Sequence, residues 1–307
     1  MTVEVHLDEL LELRHPAHAL GLATRHQVAS VMSGLYASVF RGRGMEFEET
    51  RCYQEGDEIR HMDWRVTART GMPHLKLFAE ERERAVVLCV DASAPMHFGT
   101  RGTLKLVQAV RAAALLGWAA SLSQDRVGAL IFGEARGQFQ FFRPTRGRRA
   151  LWRLLNALTQ TAAAGVPARE PLSEALAWLD RLTPTGAVVF VIADFDGDAK
   201  TLEVPLGRLR QRREVVLVAV SDVADRMIPD LGSVVFADAA GRRVWVDTAS
   251  AEGRERYRQS WERNRSALEQ LVTRLGLSLI PVWTHDEIHQ ALAAGLRRRW
   301  RQQRGRR

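Results

Sequence analysis

The chain has 307 residues, 46% of them hydrophobic and 26% charged, a globular composition with length for one large domain or two modest ones. Its longest apolar runs, such as AVVLCV and GAVVFVIA, stop well short of the roughly 20 residues that cross a bilayer, and the acidic start MTVEVHLDELLEL lacks the basic region of a secretory leader. Only two cysteines occur, Cys52 in a charged stretch and Cys89 in an apolar run, which argues against a disulfide framework and for a cytoplasmic location.

The net charge of +8 is concentrated at one end, since residues 297–307, RRRWRQQRGRR, hold seven arginines and no acid. Such a tail reads first as a solvated end, with nucleic acid, an acidic lipid surface or an acidic partner as the functional options.

Residues 1 to about 40 read as a helical arm. Leu7, Leu10, Leu11 and Leu13 share one stretch, Val28, Val31, Met32 and Leu35 recur at helical spacing in a second, and His15-Pro16 marks the break between them. Residues 41–84 are expected to hold short extended pieces around a charged run, GRGMEFEETRCYQEGDEIRHMDWRVTART. There Gly56-Asp57 supplies a turn, and Arg51, Asp57, Arg60, Asp63, Arg65 and Arg69 carry enough opposite charge for an ion-pair network around Trp64.

From residue 85 short apolar strands alternate with longer helices. Strands are predicted over 85–91, 126–132, 187–193, 214–220 and 277–282, with helices over 103–123, 147–160, 172–182, 200–212, 251–275 and 285–300. Residues 136–142 read as an edge strand and 232–247 as a β-hairpin insert. This alternation predicts an α/β fold with a Rossmann-like, doubly wound and mostly parallel sheet. The expected organisation is a helical arm with the charged motif over 1–84, the sheet domain over 85–300 and a basic tail over 301–307. Of the tryptophans, Trp118, Trp152 and Trp178 fall on predicted helices and read as packing residues.

The run GRGMEFEETRCYQEGDEIRHMDW, followed by LKLF, VVLCVDASAPMHFGT, DRVGALIF, RPTRGRRALWRLL, VVFVIADFDGD and DLGSVVFADAAGRRVWVD, resembles the bacterial "domain of unknown function 58" family, which carries a von Willebrand factor A-like domain. The resemblance covers nearly the whole chain. It implies a loop of the DxSxS type after the first strand, part of a metal-ion-dependent adhesion site suited to Mg2+ or Mn2+. Here the loop reads Asp91-Ala-Ser93-Ala-Pro95, so proline replaces the second serine and one oxygen ligand is lost. Asp91, Ser93 and Asp194, with Glu170 or Asp196, are the residues that could still hold a hydrated ion. The alternative is a degenerate, metal-free site whose acids cap helices or bond backbone amides.

The charged motif has two readings as well. Arg51, Gly56, Asp57, Arg60, Asp63, Trp64 and Arg69 either fasten the N-terminal segment or form a partner-contacting surface. Arg143, Arg146, Arg148 and Arg149 form a basic patch between a strand and a helix, able to hold an anion or simply solvated. No GxxxxGK[ST], GxGxxG, GxSxG or HExxH element occurs.

The family's association with MoxR-type AAA+ ATPases implies a non-catalytic adaptor or co-chaperone that binds such an ATPase and unknown client proteins. A rival reading is a metal-dependent hydrolase using Asp91, Asp194 and Asp196. A more distant one is nucleic-acid binding through the arginine tail.

Overall fold

The structure, a computed structural model, describes residues 4–21, 45–53, 62–80, 84–133, 139–163, 172–237 and 243–304. The chain divides into two compact units, residues 38–83 and the remainder. The junction with the sheet falls at 83/84, and the two parts of the expected 1–84 segment separate: the N-terminal helices group with the sheet and the charged motif forms the smaller unit.

In the larger unit β3 (Ala85–Asp91), β4 (Arg126–Phe132), β5 (Phe139–Thr145), β6 (Val188–Ala193), β7 (Glu214–Ser221) and β10 (Ser278–Trp283) form one sheet in the order β10-β7-β6-β3-β4-β5. All pairings are parallel except that of β5 with β4. Each parallel strand is a Val/Leu/Ile run with little polar interruption, as a strand covered on both faces requires. Its two sets of side chains feed separate cores. Val86, Leu88 and Val90 pack with α1 (Leu7–Glu12), α2 (Arg14–Gly21), α4 (Lys105–Leu122), α5 (Arg148–Ala163) and α10 (Ile288–Arg304). Val87 and Cys89 pack with α6 (Leu172–Leu182), α7 (Lys200–Arg212) and α9 (Ala251–Arg274). The sheet is therefore doubly wound, as expected. Full burial of one such side chain stabilises by about 1.5–3 kcal/mol, enough to offset the ordering of the residue that carries it.

Three local departures from the sequence reading have physical causes. The break in the helical arm falls at Leu13, and Pro16 lies in the first turn of α2, where its missing N–H costs no helical hydrogen bond. The arm is docked on the sheet unit: the Trp118 indole N–H donates to the Leu10 carbonyl at 2.8 Å, and Arg111 pairs with Glu9. Strand β5 is displaced three residues towards the C-terminus and includes Pro144, which an edge strand tolerates. The last helix continues to Arg304, four residues into the expected tail. The hairpin appears as β8 (Ser233–Ala237) paired antiparallel with β9 (Arg243–Asp247).

The smaller unit holds β1 (Met45–Cys52) antiparallel to β2 (His74–Glu80), with α3 (Trp64–Thr70) between them in sequence. The second helical stretch expected over 28–35 lies outside the described residues.

Among the described residues no helix is long and apolar enough to cross a membrane.

Candidate functional site

Strand β4 lies on one side of β3 and β6 on the other, so the chain's winding reverses between β3 and β6. A crevice opens at the carboxyl ends of strands at such a point. Here it is a cleft of about 320 Å³ lined by Asp91, Ser93, Pro95, Asp194, Asp196 and Thr201, among others. The structure brings Asp91, Ser93, Asp194 and Asp196 together at this cleft. Glu170 lies outside the described residues.

The two strand-end acids, Asp91 and Asp194, are largely buried. Asp91 is only 5% exposed, and its carboxylate accepts a hydrogen bond from the Ser93 backbone N–H at 2.8 Å. Burial, reinforced by the neighbouring charge of Asp194, pushes the Asp91 carboxyl up to about 7, while hydrogen bonds from Ser93 and the charge of Lys105 oppose the rise. Asp194 accepts from the Asp196 N–H at 3.1 Å and is likewise raised by burial against the pull of Lys105. The next residue, Phe195, is a buried non-glycine residue at φ 54°, a left-handed conformation that side chains rarely adopt.

Lys105 was not anticipated. It opens α4, a helix with fifteen of eighteen residues buried, and its ammonium lies 3.4 Å from Asp194 Oδ2 and 3.2 Å from both carboxylate oxygens of Asp225. Burial alone would pull the Lys105 ammonium down, but the carboxylates of Asp194 and Asp225 outweigh that and hold it above its ordinary value. Asp225 belongs to the short helix α8 (Val223–Arg226), and its carboxylate also accepts the Asp222 N–H at 2.7 Å.

Asp222 follows β7 and is fully buried. It accepts hydrogen bonds from the Thr100 N–H at 2.9 Å, the Thr284 hydroxyl at 2.6 Å and the Ala224 N–H at 2.9 Å. Burial works to raise its carboxyl, yet these bonds prevail and hold it below the usual range. Two sequence signals could have found this group: a lysine on the first turn of a mostly apolar helix, where the helix dipole disfavours a cation, and an Asp-x-x-Asp capping box directly after a strand.

The residues present do not match a divalent-ion site. Pro95 offers no side-chain oxygen, the Lys105 ammonium already neutralises Asp194, and no group of three or more His, Cys, Asp or Glu side chains is arranged for a metal among the described residues.

The other expected sites are separate from the cleft. In the register of β5 with β4, Thr145 pairs with Val127, near the amino end of β4. Arg143, Arg146, Arg148 and Arg149 therefore project from the opposite end of the sheet to the cleft, and all four are exposed. In the smaller unit Asp63 is the N-cap of α3, accepting from the Arg65 and Val66 N–H groups at 3.1 Å each. Trp64, expected at the centre of an ion-pair network, is 68% exposed, and Arg69 is exposed in the last turn. Arg51 lies on β1, in register with Leu75, while Gly56, Asp57 and Arg60 lie outside the described residues. Among the helical tryptophans Trp118 is buried, whereas Trp152 and Trp178 stay 48% and 39% exposed.

The model of the family described as "Protein of unknown function DUF58" matches residues 49–267. Uncharacterized proteins of Mycobacterium bovis and Mycobacterium tuberculosis are each 32% identical over 266 residues, 86% of this chain and 83% of theirs. Among solved structures, the conserved hypothetical protein BatB from Bacteroides thetaiotaomicron is 16% identical with a TM-score of 0.41, covering 71% of this chain and 99% of that one. The SpRpn10 VWA domain is 10% identical with a TM-score of 0.39, covering 69% and 94% respectively.

Proposed function

The chain belongs to the DUF58 family, and from that premise we propose that it is a von Willebrand A-like adaptor that binds protein partners through the cleft at the carboxyl ends of β3 and β6. The observation that carries this reading is the state of the acids there: Asp194 is paired with a buried lysine, and one Asp91 oxygen is taken by a backbone N–H. Such groups fix the shape and charge of a surface, and they leave the exposed Asp196, Asp198 and Thr201 at the rim for contact. The partner proposed is a MoxR-type AAA+ ATPase, with client proteins presented to it. That assignment rests on the family resemblance.

The test is direct binding of the purified chain to a MoxR-type ATPase from the same cell, by calorimetry. Asp196→Arg at the rim is expected to weaken the complex at least tenfold, and Arg149→Glu, at the opposite end of the sheet, to leave it unchanged. Absence of a complex, or the reverse pattern of the two variants, would overturn the reading.

One observation favours an enzyme instead. A cleft carboxyl held up to about 7 is suited to proton transfer near neutrality. Reproducible turnover of a phosphoester or peptide substrate, abolished in Asp91→Asn, would replace the adaptor with a hydrolase.

A further inference from the structure

Acids stand at the carboxyl ends of three adjacent strands, and two of them contact a cation that the chain supplies itself. Asp91 ends β3, Asp194 follows β6, and Asp225 stands on the helix after β7. Between the last two lies the Lys105 ammonium, with its side chain 3% exposed. We propose that the Lys105 ammonium occupies the place of a divalent ion at the strand ends, so that this adhesion-type site is built to work without metal. The proposal rests on reading the cleft as the binding site, but its test does not pass through a partner.

Four observations support it. The ammonium contacts Asp194 and Asp225 directly, at 3.4 and 3.2 Å, so a second cation there would meet both its charge and its volume. The lysine is placed with purpose: it begins a helix, where the dipole disfavours it, and it is buried, where an unpaired ammonium is costly. Only its acids make that position tenable. Asp225 is in turn oriented by the Asp222 N–H, and Asp222 is anchored by Thr100 and Thr284, so the acid facing the ammonium is held by a second layer of hydrogen bonds. Lastly, Pro95 stands where a second hydroxyl ligand would be needed, and beside an internal cation that loss carries no penalty.

The experiment is titration of the chelator-treated chain with Mn2+ and with Mg2+, followed by calorimetry and melting temperature. The wild type is expected to show no saturable binding into the millimolar range typical of weak oxygen-ligand sites, and no metal-dependent rise in melting temperature. Lys105→Ser, which vacates the position and adds a hydroxyl, is expected to gain sub-millimolar Mn2+ binding. Sub-millimolar binding to the wild type would overturn the proposal, and so would a folded Lys105→Ser protein that binds no more than the wild type.

Should that variant fail to fold, electron paramagnetic resonance of Mn2+ mixed with wild-type protein decides. An undiminished free-ion signal supports the proposal, and its loss overturns it. A partner complex that forms but dissociates in chelator would sink this proposal while leaving the adaptor reading intact. A missing complex would sink the adaptor reading alone.

Discussion

Gly133, directly after β4, lies against Ser93 so closely that a Cβ on the glycine would fall 2.5 Å from the Ser93 backbone nitrogen and 2.7 Å from its Cβ. The glycine is also at φ +93°, a conformation that side chains rarely take. It therefore acts as a stop against which the Asp91–Ser93 turn is set. Gly133→Ala is expected to cost about 1–3 kcal/mol in backbone strain alone, with further loss from displacing the turn. Urea unfolding measures this. A variant as stable as the wild type would show that the turn yields freely and that its geometry is not fixed by β4.

The buried Asp91 carboxyl makes a prediction about pH. Its value in the folded protein, about 7, is raised above the ordinary 3.8, chiefly by burial and then by Asp194. The folded chain therefore holds a proton that the unfolded chain releases. Stability from this group is fully present below about 4 and is lost as pH rises through 7, by about 1.4 kcal/mol for each pH unit in that window. Asp91→Asn keeps the shape and removes the charge. It is expected to be more stable than the wild type at pH 8, with the advantage shrinking steadily towards pH 4. Parallel stability-pH curves for the two proteins would refute the assignment.

The sheet was legible because its strands are continuous apolar runs with sharp polar ends, and β3 and β4 fall on the predicted residues. The cleft acids were legible because they follow those strands directly. What escaped was whatever depended on partners distant in sequence. The residue neutralising Asp194 comes from position 105, those anchoring Asp222 come from positions 100 and 284, and no local pattern joins them. Helix α3 was missed for a different reason: WRVTART has no apolar face to give a helical period. Its ends were nonetheless written in the sequence, as Asp63 at the N-cap and Gly71 in the left-handed conformation past the last turn.

Arg299 also departs from the reading of the C-terminus as a solvated basic end. Its guanidinium pairs with Glu214 at the start of β7, and the two side chains are 6% and 8% exposed. Burial lowers the arginine to about 10, which still leaves it charged at neutral pH. Arg299→Met is expected to destabilise by about 3–5 kcal/mol, because it strands a buried carboxylate. The double variant Arg299→Met, Glu214→Leu is expected to recover most of that loss. A double variant as unstable as the single one would show that the arginine matters through packing rather than charge. A truncation meant to test nucleic-acid binding by the terminal arginines must accordingly stop after Arg299.

The charged motif separates into a structural acid and an exposed aromatic. Asp63 satisfies two N–H groups at the start of α3, so Asp63→Ala is expected to cost about 0.5–2 kcal/mol, the usual loss on removing an N-cap. Asp63→Ser, which can still accept from those groups, should restore most of it. Trp64 is 68% exposed, and Met72, close by in the same unit, is 58% exposed. Truncating a side chain so poorly packed should change stability by no more than about 0.5 kcal/mol. A large exposed tryptophan is, however, the kind of residue that anchors a partner. Trp64→Ala is therefore expected to keep its melting temperature, and weaker ATPase binding by it would mark a contact surface other than the cleft, while Asp63→Ala melts earlier and, where folded, binds as the wild type does. Measuring both quantities on both variants assigns the motif. Should Asp63→Ala remain stable yet lose the partner, with Trp64→Ala binding normally, the aspartate would be the contact residue and its capping role incidental.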